Sequence, residues 1–246
     1  PGARARGRWL PSLLRETREG LGVVRRMRGI RVVIVGSAAA LFFGGLFNVG
    51  ELLFATEELG TSGAGYSALV AVFGLGFIVG SLTGSKGGSP YLLRKRFLQG
   101  IVVMGLGFVL SGLAPSFAVA LLTFTLAGFG NGVMLVHERV IVQEIVPDGV
   151  LGRAFGVKDA LASWAFGSAF FAAGGLLSAI DSRQLIVGAG VGGLVIAAGC
   201  AIALRREGLP EGARRERSRL GGGGRAVGDL RAHEEGADMI GPGDLR

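Results

Sequence analysis

Six apolar stretches follow one another between Arg31 and Arg205, at about 31–56, 66–85, 98–114, 117–136, 155–180 and 184–204. Each is close to the roughly 20 residues that carry an α-helix across a bilayer. The polar residues between them are sorted by gap. Basic side chains collect before the first stretch (Arg25, Arg26, Arg28, Arg31) and between the second and third (Lys86, Arg94, Lys95, Arg96). They collect again between the fourth and fifth (Arg139, Arg153, Lys158) and after the sixth (Arg205, Arg206). The alternate gaps read Glu57-Glu58-Leu59-Gly60-Thr61, Ala114-Pro115-Ser116 and Asp181-Ser182-Arg183, with one basic residue, Arg183, among them. Lys and Arg in short loops stay on the cytoplasmic side of a membrane. The pattern predicts an all-α membrane protein of six transmembrane helices over 31–204, multi-pass, with both termini in the cytoplasm.

Composition agrees with a bilayer as solvent. Half of the residues are hydrophobic (50%), only 18% are charged, and Gly reaches 46 of 246. Small residues let helices approach closely inside a membrane. Gly76, Gly80 and Gly84 recur every fourth residue on the second stretch, as do Gly188 and Gly192 on the sixth; helix packing within the chain is preferred to a dimer interface. The net charge of +8 lies in loops and tails rather than on one folded face. It therefore points to topology beside an anionic leaflet and not to nucleic acid. The single cysteine, Cys200, excludes an internal disulfide and reads as a small packing residue. The Ala, Gly and Arg bias suggests a bacterial source and hence a cytoplasmic (inner) membrane.

Residues 1–30 form a basic, partly amphipathic cytoplasmic segment, with Leu10, Leu13, Leu14, Leu21, Val24 and Met27 near helical spacing. Residues 205–246 are polar and rich in Gly, and are expected to be a disordered cytoplasmic tail. The chain does not start with Met, which suggests a fragment of something longer.

Ionisable groups at membrane depth usually face a cavity or a partner. Glu51 follows Asn48 by about one helical turn, so both share a face. Two roles stay open for Glu51: proton coupling, or a rim carboxylate wetted by the outer mouth. The fourth stretch offers Asn131 and then His137-Glu138-Arg139. One His with no second His or Cys nearby makes a poor metal site, and no metal or cofactor is expected. Glu138 and Arg139 point about 100° apart on a helix; Glu138 is expected to look toward Arg153 or Lys158 in a salt-bridge network at the inner leaflet. The run Gly45-Leu46-Phe47-Asn48 matches Gly128-Phe129-Gly130-Asn131 in outline. The two runs open two consecutive three-helix units, 31–114 and 117–204. If these are inverted repeats, Asn48 and Asn131 line one cavity. No nucleophile elbow, Cys–His pair or phosphate-binding signature is present, so an enzyme is not expected.

The stretch Arg139…Gln143-Glu144-Ile145-Val146-Pro147-Asp148…Leu151-Gly152-Arg153…Gly156 resembles the loop between the tenth and eleventh helices of major facilitator superfamily exporters, in the branch of enterobactin and macrolide exporters. Leu14-Arg15-Glu16…Gly20-Leu21…Val24-Arg25-Arg26 resembles that branch's central cytoplasmic linker. In Gly80-Ser81-Leu82-Thr83-Gly84-Ser85-Lys86, Gly84 stands where an Asp is common in the better-preserved gating loop. The resemblance implies the C-terminal six-helix half of a twelve-helix transporter, partnered by a missing N-terminal half. It also implies export of a small amphiphilic molecule, siderophore or drug-like, coupled to protons, by alternating access.

Asn48, Glu51 and Asn131 are then the candidates for the substrate cavity or proton coupling, and Glu138, Arg139, Gln143 and Arg153 for a cytoplasmic gate. Pro147 interrupts the helix, and Gly149 and Gly152 are expected to make a tight turn before Arg153. The alternative is a six-span protein acting as a homodimer or as a non-transporting scaffold remnant.

Overall fold

The computed structural model describes residues 22, 28–85 and 88–206. The expected amphipathic segment before residue 28, Lys86 and the tail beyond residue 206 lie outside the described residues. Within them the chain is helical almost throughout and contains no strand. Six α-helices of 19 to 29 residues follow in order. They are α1 (Arg28–Leu53), α2 (Gly63–Ser81), α3 (Pro90–Gly112), α4 (Phe117–Ile145), α5 (Asp148–Leu176) and α6 (Ser182–Arg206). A single wide π-helical turn, Phe54–Glu58, extends α1, and a 3₁₀ turn, Leu82–Ser85, closes α2.

Four of these are long and apolar enough to cross a membrane: Gly29–Glu58, Gly63–Gly84, Phe117–Ile145 and Ser182–Arg205. The other two, α3 and α5, carry basic residues inside the helix (Arg94, Lys95 and Arg96; Arg153 and Lys158), which dilutes their apolar run. The same residues explain where the expected boundaries fail. Helix α3 starts at Pro90 rather than near 98, because Pro fits the first turn. Helix α4 runs to Ile145 rather than 136, and α5 starts at Asp148 rather than 155. The expected loop over 139–156 is therefore mostly helix, broken only at Val146 and Pro147. Gly149 and Gly152 are helical and make no turn. Gly60, with φ of 63°, is the non-standard position; it follows the π turn where a left-handed residue stops a helix.

In lipid there is little hydrophobic drive to join helices, so close packing of small residues matters most. Helix α4 packs along α2 and α3, α6 along α3 and α1, and α5 along α1. Exchanging α1 with α4, α2 with α5 and α3 with α6 leaves this set of main packed pairs unchanged. The α2–α4 seam is a glycine zip. A methyl group on Gly76 or Gly80 would strike the backbone of Thr125 or Phe129, and one on Gly128 or Gly132 the carbonyl of Phe73 or Phe77. Gly84 meets Val136 along the same seam, so the whole Gly76–Gly80–Gly84 row serves packing inside the chain. On α6, Gly192 lies under the Phe43 ring while Gly188 faces open space; that pair is not one contact row.

The core is aromatic where α1, α3 and α4 meet. Phe47 stacks on Phe108 with centroids 4.0 Å apart and lies 5.0 Å from Phe124, which also stacks with Phe54. Outward, α2 and α5 leave large apolar side chains uncovered, among them Leu75, Ile78, Trp164 and Phe171. One end of the bundle carries Glu58, Ala114 and Ser182; the opposite, basic end carries Arg94–Arg96, Pro147 and Lys158.

Candidate functional site

Two polar clusters interrupt the apolar bundle, one toward each end. Near the Glu58 end, α1 places Asn48 and Glu51 one turn apart. Asn48 is exposed, whereas Glu51 is only 4% exposed. The Asn48 amide donates to Glu51 Oε1 at 3.2 Å, and the Tyr66 hydroxyl, from the first turns of α2, donates to the same oxygen at 3.4 Å. Glu51 is thus a largely buried group held by two neutral donors. The π turn begins three residues later; such turns are rare and frequently occur at functional sites.

Beside this cluster lies Arg183, in the first turn of α6. Its Nη1 donates to the carbonyls of Gly112 (2.8 Å) and Ala114 (3.2 Å), at the end of α3. Its Nε donates to Glu58 Oε2 at 3.4 Å, and its guanidinium lies 5.3 Å from the Phe54 ring centroid. A cation at a helix C-terminus is favoured by the helix dipole and satisfies carbonyls that have no intrahelical partner. The lone basic residue of the non-basic gaps therefore ties α6 to α3 and to the π turn.

Toward the basic end, Glu138 on α4 is 1% exposed. It accepts a hydrogen bond from the Ser37 hydroxyl on α1 and forms an ion pair with Lys158 Nζ on α5 at 3.6 Å. Lys158 also contacts Asp159 Oδ1 at 2.8 Å. Of the two cations offered by the sequence, Lys158 is the one facing Glu138. Ser37, Glu138 and Lys158 thereby join three helices, over an apolar patch of Ile30, Ile34, Val142, Val146 and Ala154. Arg139 and Lys158 each lie 5.9 Å from the Phe155 ring centroid, within cation–π range. Gln143 is exposed on the last turns of α4, and Arg153 is half-buried on α5.

Asn48 and Asn131 are not brought into contact. Helices α1 and α4 meet instead through Phe47, Phe54 and Phe124. Among the described residues the buried side-chain oxygen of Asn131 has no hydrogen-bond partner. His137 is fully buried, with Nδ1 on the Val133 carbonyl at 2.8 Å and no described partner for Nε2. Among the described residues no group of three or more His, Cys, Asp or Glu side chains could hold a metal ion.

Three residues of these clusters escaped the sequence: Ser37, Tyr66 and Arg183. Ser37 and Tyr66 look like ordinary span residues, and only the distant partner gives them meaning. Arg183 did carry a signal, as the exception to the charge pattern.

Four helices long and apolar enough to cross a bilayer point to an integral membrane protein. A family model of the Major Facilitator Superfamily matches residues 32–233; the chain belongs to that superfamily, whose members are membrane transporters rather than enzymes. No curated protein matches the chain.

Proposed function

We propose that the chain is the C-terminal six-helix half of a proton-coupled exporter of small amphiphilic molecules, working by alternating access with an N-terminal six-helix half. The bilayer is that of a bacterial inner membrane, and both ends of the chain face the cytoplasm. The basic end is then cytoplasmic and the Glu58 end external. The exchange of α1–α3 with α4–α6 that preserves the packing supports two inverted three-helix repeats. The uncovered faces of α2 and α5, with Trp164 and Phe171 outward, are where the other half would sit. A second copy of the chain would use the same faces, and cysteine cross-linking from Trp164 separates the two arrangements by the mass of the product.

The observation that carries proton coupling is Glu51. A buried carboxyl at membrane depth, held only by Asn48 and Tyr66 among its described hydrogen-bond partners, is costly as a bare charge. A site of that kind takes up a proton on one face and releases it on the other as the bundle rocks. Asn131, whose buried side-chain oxygen has no hydrogen-bond partner among the described residues, would line the substrate path on the α4 side of the aromatic core, and Glu138, Arg139, Gln143 and Arg153 would form the cytoplasmic gate. The test is dye efflux from proteoliposomes of the natural full-length protein under an imposed pH gradient. Glu51→Gln is expected to abolish gradient-driven efflux at wild-type membrane abundance; unchanged gradient response would refute the assignment. Arg153→Ala is expected to slow transport severalfold with insertion intact.

A further inference from the structure

In the polar cluster at the basic end, two carboxylates share the ammonium of Lys158. Its Nζ lies 2.8 Å from Asp159 Oδ1 and 3.6 Å from Glu138 Oε2. The first is a hydrogen-bond distance and the second is not. Glu138 Oε2 is buried, with no hydrogen-bond partner among the described residues. The two acids stand in different surroundings, the Glu138 side chain 1% exposed and that of Asp159 63%. Lys158 therefore sits at the edge between the bundle interior and its surface. It donates to the outer acid, while only its charge reaches the inner one.

The helices that carry these groups are loosely joined. Helix α5 packs along α1 and touches α4 little. Between α4 and α5 the backbone is extended at Val146 and Pro147, with ψ of 128° and 142°, and Pro147 has no N–H to continue a helix. Lys158 and Asp159 both ride on α5, and Glu138 on α4. A shift of α5 against α4 stretches the Lys158–Glu138 contact and leaves the Lys158–Asp159 contact whole.

We propose that Lys158 is an exchangeable latch, spanning Glu138 and Asp159 while the basic end is closed and resting on Asp159 alone when it opens. Asp159 is the positioning residue that sets the balance. Breaking a buried ion pair outright strands both charges. Here the ammonium keeps a partner, and Glu138 keeps the Ser37 hydroxyl and gains water as the end opens. Two carboxylates drawn to one ammonium also repel each other, and opening relieves that repulsion. The closed state is held meanwhile by the apolar patch of Ile34, Val142 and Ala154 beneath the latch. The proposal rests on the reading of the basic end as the gate of an alternating-access transporter.

The experiment is double electron–electron resonance on the full-length protein in nanodiscs, in a background free of other cysteines. Spin labels sit at Glu144→Cys on α4 and Ala160→Cys on α5, both exposed positions. Two distances are expected, one for each state of the basic end. Asp159→Asn commits Lys158 to Glu138 and is expected to lower the open-to-closed ratio about threefold, the scale of one partly exposed ion pair. Gradient-driven efflux should slow with it, while the melting temperature stays close to wild type. Asp159→Glu is expected to restore both ratio and efflux. Asp148→Asn, an exposed acid in the first turn of α5, should leave the ratio unchanged. Gly156→Cys, where an added methyl carbon meets nothing within 4 Å, replaces Ala160→Cys as a second label site and should report the same shift. A ratio that Asp159→Asn leaves unchanged or raises would overturn the latch. So would an equal shift in Asp148→Asn, which would mean diffuse electrostatics, or a single distance in every variant. Absence of gradient-driven efflux by the wild-type protein would instead refute the transporter reading, and the distance ratios would still decide whether Lys158 exchanges.

Discussion

Glu51 on α1 and Glu138 on α4 are both almost wholly buried, yet they are held in opposite ways. Ser37, which bonds Glu138, precedes Glu51 by 14 residues on α1, so the two carboxyls sit about 21 Å apart in level along the helix. Glu138 has a hydroxyl and a cation, Lys158, as partners from two other helices. Glu51 has an amide from its own helix and a phenol from the next. The difference separates two uses of a buried acid. A carboxylate with a cation is a cross-link between helices, here one that shares Lys158 with Asp159. One with neutral donors carries its charge state as a variable, the condition for a group that must gain and lose a proton during a cycle.

The largest effect should come from breaking the balanced site. Glu138→Ala leaves Lys158 buried beside a void, and removing one partner of a buried pair costs about 3–5 kcal/mol. The exposed Asp159, 2.8 Å from Lys158 Nζ, offsets part of that loss. The variant is expected to unfold at clearly lower temperature in detergent, and Glu138→Met/Lys158→Met to recover most of the difference. A double variant no better than the single one would show that the pair does not act as a unit. Rescue would also sharpen the contrast with Glu51, whose described partners are both neutral.

Arg183 should come next. It replaces two carbonyl partners that the end of α3 cannot supply for itself and pairs with Glu58. The ion pair is partly exposed and contributes little; the charge-assisted bonds to Gly112 and Ala114 contribute more, about 2 kcal/mol together. Arg183→Gln is expected to lower stability by about that amount, while Glu58→Gln changes it by under about 1 kcal/mol. Equal losses would reverse the weighting of carbonyls over carboxylate. Both substitutions can be followed by the same thermal melt.

How much of this was legible in the sequence follows from the range of each interaction. The positions of six helices could be read from the repeated apolar runs, four of them long and apolar enough to cross a membrane. Their ends could not, since Arg94–Arg96, Arg139 and Arg153 read as loop yet continue the helices; a basic residue at the membrane surface can extend a helix as readily as end one. Asn48 and Glu51 share a face through local helix geometry and could be paired from spacing. Lys158 was one of two candidates for Glu138, because only a proline turn separates α4 from α5. Tyr66 and Ser37 had no local mark. The match between Asn48 and Asn131 carried no sign of Phe47, Phe54 and Phe124, which pack together where α1 meets α4.

The smallest stability effects should appear at the neutral site, and they test the comparison most finely. Tyr66→Phe removes one long hydrogen bond, 3.4 Å to Glu51 Oε1, and keeps the ring; the expected loss is about 1 kcal/mol or less. Glu51→Gln keeps an oxygen able to accept from both Asn48 and Tyr66, so its melting temperature should stay close to wild type even though gradient-driven efflux is lost. The corresponding change at the basic end, Glu138→Gln, should not be neutral, because an amide cannot balance Lys158. If Glu51→Gln proved as destabilising as Glu138→Gln, Glu51 would need a cationic partner supplied from beyond this bundle. It would then be a second balanced cross-link, and the proton would have to be carried elsewhere.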